Sequence, residues 1–249
     1  MFKVAGLNYA RGRRSVLQDI NFESDAPEII GVLGENGVGK TTLMRLIAGA
    51  VLPKKGAHIT LDGLTGDALK SAVAFIPNLN WVRKRDTIAD VLAFYRAGYP
   101  DFNQERWTEV NKTLRLNEQD QVSALSKGML ERLIFALTVS RDAKVFMLDE
   151  PFSGVDVLTR RKLLQTLIQW VPEDATILMS THEIAEIEPV VDRVLILKDA
   201  HIIVDQTIDD IRDNEHMTLE QYYVQRYVED NGGLSYDINK TIGEINNCR

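Results

Sequence analysis

Residues 34 to 41 read Gly34-Glu35-Asn36-Gly37-Val38-Gly39-Lys40-Thr41 and match G-x-x-x-x-G-K-[ST] in full. No other feature constrains the chain as strongly. An apolar segment, Glu28 to Leu33, precedes the loop. A helical pattern from about Lys40 to Ala48 follows, with Gly49 and Pro53 as its stop signals. Strand, glycine loop and helix together open a βαβ-type unit. Glycines at 34, 37 and 39 let the backbone turn its N–H groups inward without Cβ obstruction, and the helix after them presents its positive end. A nest of that kind holds phosphate. The segment through Thr42 is therefore read as a nucleoside triphosphate site, in which Lys40 contacts the terminal phosphates and the Thr41 hydroxyl ligates Mg2+.

Three further apolar runs, Val145 to Asp149, Thr176 to Ser180 and Arg193 to Leu197, have the near-continuous hydrophobicity of strands buried on both faces. Val4 to Tyr9 and Val16 to Phe22 flank a basic turn at Arg11, Arg13 and Arg14 and are predicted to pair antiparallel. His201 to Gln206 is predicted to pair with the strand before it, and both features are expected to lie peripheral to the main sheet. From Leu79 to Ser140 the strand signal fades, and Ile88 to Ala97, Glu105 to Leu116 and Lys127 to Ser140 carry helical spacing. In the last of these, Leu130, Ile134 and Leu137 share one face. The predicted organisation is one α/β unit over residues 1–215 with a helical subdomain inserted at about 79–140. An extension over 216–249 begins with a helix at Leu219 to Val228 and ends in a polar tail containing Gly232 and Gly233, which is expected to fray.

Composition narrows the function. Across 249 residues, 45% hydrophobic and 26% charged content belongs to a globular chain with ample material for a core. A net charge of -7 argues against a broad basic surface, so nucleic acid is not an expected partner. A single cysteine, Cys248, excludes an intramolecular disulfide and fits a reducing compartment. No stretch approaches the roughly 20 apolar residues that span a bilayer, and no signal segment is evident, so service to a membrane would run through a partner.

Val145 to Leu148 ends in Asp149-Glu150, which sends two carboxylates out together at the C-terminal edge of a buried strand. Ligands of open α/β sheets bind at that edge. Asp149 is read as a Mg2+ ligand, directly or through water, and Glu150 as the general base that polarises the attacking water.

With these residues in place, the chain resembles the nucleotide-binding domains of ATP-binding cassette (ABC) transporters over about residues 2 to 210, with the motifs in the family's order. Leu125-Ser126-Lys127-Gly128-Met129 stands where the family has L-S-G-G-Q. The resemblance implies a phosphate-loop NTPase (RecA-like) core with a peripheral antiparallel β subdomain and an inserted helical one. It implies that Ser126 and Gly128 close on the γ-phosphate of ATP held by a second subunit, and that Asp156, in Ser153-Gly154-Val155-Asp156, helps join the two. It further implies that His182, after Ser180-Thr181, contacts the γ-phosphate and positions water with Glu150, and that Tyr9 stacks on adenine.

Three positions depart from the family pattern. Asn78 replaces a Gln that reaches Mg2+ and the attacking water, and it is one methylene shorter. Lys127 replaces a glycine and Met129 a glutamine, which together add a cation near the phosphate and remove a polar contact. Hydrolysis is accordingly expected to be slow or controlled by a partner. The resemblance places the chain on the cytoplasmic face of a cell membrane, bound to an integral membrane permease and paired with a second ABC ATPase subunit, identical or not. The wording LSKGM and the aromatic stretch Trp81 to Phe102 are similar to bacterial exporter-type subunits. Two rival readings stay open on the sequence. One is a soluble cassette ATPase acting on ribosomes or DNA; the other is a regulatory module that binds ATP with weak turnover.

Overall fold

The computed structural model describes residues 1–76 and 78–229. Its centre is a six-stranded sheet in the order β5 (Val73–Phe75), β6 (Val145–Asp149), β7 (Thr176–Ser180), β3 (Ile29–Leu33), β8 (Arg193–Lys198), β9 (His201–Thr207). The first five strands run parallel and β9 returns antiparallel along β8. A second sheet, β2 (Arg14–Ser24), β1 (Phe2–Arg11), β4 (His58–Leu61), is antiparallel throughout. The pairing predicted for β9 is present, but β9 closes one edge of the main sheet instead of lying apart from it.

Alternation along the central strands sorts side chains into two packed layers. Val145 and Met147 join Ile30, Val32, Leu178 and Leu197 on one face, against Leu43, Met44 and Ile47 of α1 (Lys40–Ile47) and Leu7, Leu17 and Ile20 of the antiparallel sheet. Phe146 and Leu148 join Ile177, Met179, Val194 and Ile196 on the other. That second face packs on α5 (Lys127–Val139) and shares one core with α6 (Val157–Trp170) and the helices α3 (Ile88–Gly98) and α4 (Gln104–Leu114). Burial on both sides is why these strands carry no polar face.

Helix starts follow local chemistry. Thr87 and Asp90 form a reciprocal capping box on α3, Asn103 caps α4 through Arg106 N–H at 2.9 Å, and Asp156 caps α6 through Leu158 and Thr159 N–H at 3.0 Å each. The predicted face of α5 is too narrow. Leu133, Phe135, Ala136, Leu137, Thr138 and Val139 are all buried, whereas Leu130 and Ile134 are only partly so, because the C-terminal half of α5 is wrapped by core on every side. The short α2 (Gly66–Ser71) and α7 (Ile184–Ile187) complete the core unit. After α8 (Ile208–Glu215), α9 (Leu219–Glu229) docks by burying Leu219 and Tyr222. The expectation of a fraying end at Gly232 and Gly233 lies outside the described residues. Among those residues, no helix is long and apolar enough to cross a membrane.

Candidate nucleotide site

Register in the parallel sheet assembles the site. Val32 of β3 pairs with Ser180 of β7, and Ser180 pairs with Asp149 of β6, so the loops after these three strands leave the sheet side by side. The 34–41 loop, Asp149-Glu150 and Thr181-His182 are thereby brought to one edge, although almost 150 residues of sequence separate the first from the last.

The glycines of the loop differ in what they do. Gly34 has φ +145°, and a Cβ there would lie 2.6 Å from the Leu197 carbonyl oxygen at the end of β8. Gly39, at φ +124° and serving as N-cap of α1, would place a Cβ 3.1 Å from the Val16 carbonyl oxygen. Gly37, at φ +81°, faces open space and leaves its side of the nest clear for a ligand. The first two glycines therefore pack the loop against neighbouring strands, and the third keeps it open.

Lys40 is buried, at 6% exposure, and its ammonium is fully engaged. Nζ donates to Gly34 O at 2.7 Å and to Glu35 O at 3.3 Å, and lies 3.6 Å from Glu150 Oε1. The other oxygen of Glu150 accepts from His182 Nδ1 at 2.7 Å, the carboxylate being the acceptor. Glu150 itself sits at φ +51°, a conformation uncommon for a side-chain-bearing residue, and its N–H donates to Ser180 Oγ at 3.0 Å and Ser180 O at 3.2 Å. The Ser180 hydroxyl in turn donates to Asp149 Oδ1 at 2.7 Å. Lys40, Asp149, Glu150 and His182 thus form one polar chain, with Ser180 as the tie between the two acidic residues. Sequence reading had placed Ser180 beside the histidine without giving it this part.

A cleft of about 1040 Å³ opens on the other part of the loop. Of the residues the sequence assigns to nucleotide, Tyr9, Glu35, Asn36, Gly37, Val38 and Thr42 line it and Gly34, Gly39, Lys40 and Thr41 do not; Arg14, Val16, Arg45, Lys198 and Tyr227 line it too. An aromatic ring, a branched aliphatic residue and several cations around backbone amides suit a base, a sugar and phosphates. Lys198 and Tyr227 were not anticipated. A lysine ending an apolar strand carries no motif, and Tyr227 lies 192 residues from the Glu35 amide it meets.

Other predicted residues are placed elsewhere. Ser126 and Gly128 do not line the cleft. Ser126 Oγ caps α5 by accepting from Met129 N–H at 3.3 Å, Lys127 Nζ donates to Ser153 Oγ at 3.1 Å, and a Cβ on Gly128 would lie 3.0 Å from Gly154 O. The Asn78 side-chain oxygen accepts from Asn80 N–H at 3.1 Å, a local turn contact. Asp156 is exposed, and its carboxyl is held below the usual range by hydrogen bonds from the Thr159 hydroxyl and the Thr159 and Leu158 amides.

No cluster of three or more His, Cys, Asp or Glu able to hold a metal occurs among the described residues. Magnesium does not require one, since it is commonly held by one or two protein oxygens together with substrate phosphates. Thr41 in the first turn of α1 and Asp149 at the end of β6 fit that pattern.

Comparison with known proteins gives a consistent result. The family model described as ABC transporter matches residues 17–153. An uncharacterized ABC transporter ATP-binding protein of Methanocaldococcus jannaschii is 33% identical over 214 residues, covering 84% of this chain and 78% of that protein. The taurine import ATP-binding protein of Yersinia pestis is 32% identical over 193 residues, 75% of each chain. A solved structure of an ATP binding subunit of an ABC transporter superposes with TM-score 0.81 at 25% identity, covering 91% of this chain and 99% of that one.

Proposed function

Because this chain belongs to the ABC transporter family, we propose that it is the ATP-binding and ATP-hydrolysing subunit of a membrane transporter, driving a separate permease through its own changes of shape. The observation that carries this reading is the convergence of the glycine nest, buried Lys40 and the Glu150–His182 pair at one sheet edge.

In this reading the loop amides and Lys40 grip the triphosphate, and Lys40 exchanges the Gly34 and Glu35 carbonyls for phosphate oxygens. Thr41 and Asp149 would hold Mg2+, which would supply positive charge to offset that of the terminal phosphates. Glu150 takes the proton of the attacking water, with His182 fixing the carboxylate that does so. Tyr9 stands on the wall of the cleft where the base stacks. Asn78 is the weakest member of the set, since its amide is shorter than the family's glutamine and here serves a turn.

Ser126 and Gly128 complete the site of a second subunit, identical or related, so that ATP closes the pair and hydrolysis reopens it. Trp81 and Phe94, both about half exposed with ring centroids 4.5 Å apart, offer an apolar surface for a permease helix on the cytoplasmic side of the membrane. Residues 1–215 act as one ATPase unit carrying the helices of 79–140, and 216–249 as its extension. Calorimetry tests the core of the reading: the chain takes up MgATP and Lys40→Ala does not. Equal uptake by both would refute it.

A further inference from the structure

The C-terminal helix reaches back to the phosphate loop through one side chain. The Tyr227 hydroxyl accepts from Glu35 N–H at 3.1 Å and donates to Leu197 O at 2.8 Å. That same Leu197 carbonyl is the atom against which Gly34 packs, 2.6 Å from where a Cβ would stand. One hydroxyl therefore fastens the first peptide of the loop to the end of β8. The next residue of β8, Lys198, holds the tyrosine in turn. Its Nζ donates to Tyr227 O at 2.9 Å and lies 5.2 Å from the ring centroid. Tyr223, one turn earlier, packs its ring 4.6 Å from that of Tyr227. Burial first, then a hydrogen bond with Tyr227, raises the Tyr223 hydroxyl well above its ordinary range.

The fastened peptide also serves the triphosphate site. Gly34 O and Glu35 O are the carbonyls that receive the Lys40 ammonium. Glu35, Asn36, Gly37 and Tyr227 line the same cleft. A loop of three glycines is entropically expensive to hold in one shape, and a ligand that must order it binds more weakly.

We propose that Tyr227 is a positioning residue for nucleotide binding, pinning the Gly34–Glu35 end of the phosphate loop so that its amide nest is formed before the triphosphate arrives. The C-terminal helix is then a working part of the nucleotide site, reached through Leu197 and Lys198. The proposal rests on the reading of the loop as a MgATP site and goes beyond it by assigning a role to α9.

Two variants of the same helix separate positioning from mere support. Tyr227→Phe keeps the ring and removes the hydroxyl from Glu35 and Leu197. Tyr222→Phe removes the hydroxyl bond to Gln206 at 2.6 Å, which holds α9 without touching the loop. Calorimetry with MgATP and phosphate-release kinetics should show that Tyr227→Phe raises Kd and KM about 3- to 10-fold, the loss of roughly one net hydrogen bond, with kcat within about twofold. Tyr222→Phe should lower the thermal midpoint and leave Kd unchanged. An unaltered Kd in Tyr227→Phe, or an equal rise in both variants, overturns the proposal. Absence of MgATP uptake by the unmodified chain would instead refute the underlying reading of the loop.

Discussion

Replacing Glu150 with glutamine should separate two consequences of a single carboxylate. The residue sits between Lys40 Nζ at 3.6 Å and His182 Nδ1 at 2.7 Å. Glutamine has the same length and bears the φ of +51° at the same cost, so the fold should survive. As a general base the carboxylate is worth about 10² to 10⁴ in rate, or about 3–5 kcal/mol of barrier, and glutamine supplies none of it. Affinity should move the other way. At an effective dielectric of about 20, the gross attraction across the Lys40–Glu150 distance is about 4–5 kcal/mol. The Glu150 side chain keeps 26% of its exposure and Lys40 retains its carbonyl acceptors, so the net competition for the ammonium shrinks to about 1 kcal/mol. Freed of that competitor and of the charge facing the phosphates, Lys40 should bind MgATP about fivefold more tightly. Phosphate release and calorimetry on the same preparation read both effects. Turnover within about threefold of the unmodified chain, or weaker MgATP binding, would refute the assignment of Glu150.

Two further substitutions probe how the site is built. Gly34→Ala forces a Cβ to 2.6 Å from Leu197 O at φ +145°; backbone strain and overpacking together should cost about 3–5 kcal/mol in urea unfolding, and a loss under 1 kcal/mol would refute the packing role. Asp156→Ala should show a pH-dependent loss. The Asp156 carboxyl is depressed in the folded chain, so its contribution is fully present above the unfolded value of about 3.9 and fades as pH falls through the folded one. The urea midpoints of the two proteins should therefore differ at pH 7 and converge toward pH 2, and a constant difference would show that the cap acts without its charge.

What could be read from the sequence follows from where the physics is local. β6 and β7 are legible because two-sided burial leaves unbroken apolar runs, and the loop and α1 because Gly34, Gly37 and Gly39 are required by backbone geometry. β5 has only three residues, and β4 is a four-residue edge strand beginning at exposed His58, so neither gives a period to detect. α6 escapes for another reason. Its exposed Val157, Leu158 and Ile168, with Arg160 and Thr166 buried, blur the contrast between its faces. At the sheet edge, the juxtaposition of Asp149, Glu150 and His182 is legible because strand ends announce themselves, while Tyr227 acts through a backbone N–H and a backbone carbonyl that every residue possesses. No side-chain pattern could have revealed it.

The departures from the family's L-S-G-G-Q acquire a different meaning once placed in space. Lys127 was expected to bring a cation toward the phosphate, yet its ammonium donates to Ser153 Oγ and its stem lies along Gly154, where a Cβ would meet it at 3.2 Å. Gly128 is a glycine because the Gly154 carbonyl approaches to 3.0 Å of the space a Cβ would fill. The start of α5 is thus bound to the loop after β6 at two adjacent positions. That loop is tied in turn to the catalytic candidate, since Ser153 N–H donates to Glu150 O at 3.1 Å. The Ser126 end of α5 is therefore linked to the Glu150 backbone by short contacts within one chain. The Lys127 ammonium fastens the start of α5 to the loop after β6, and through Ser153 to the backbone of Glu150, the base of the proposed mechanism.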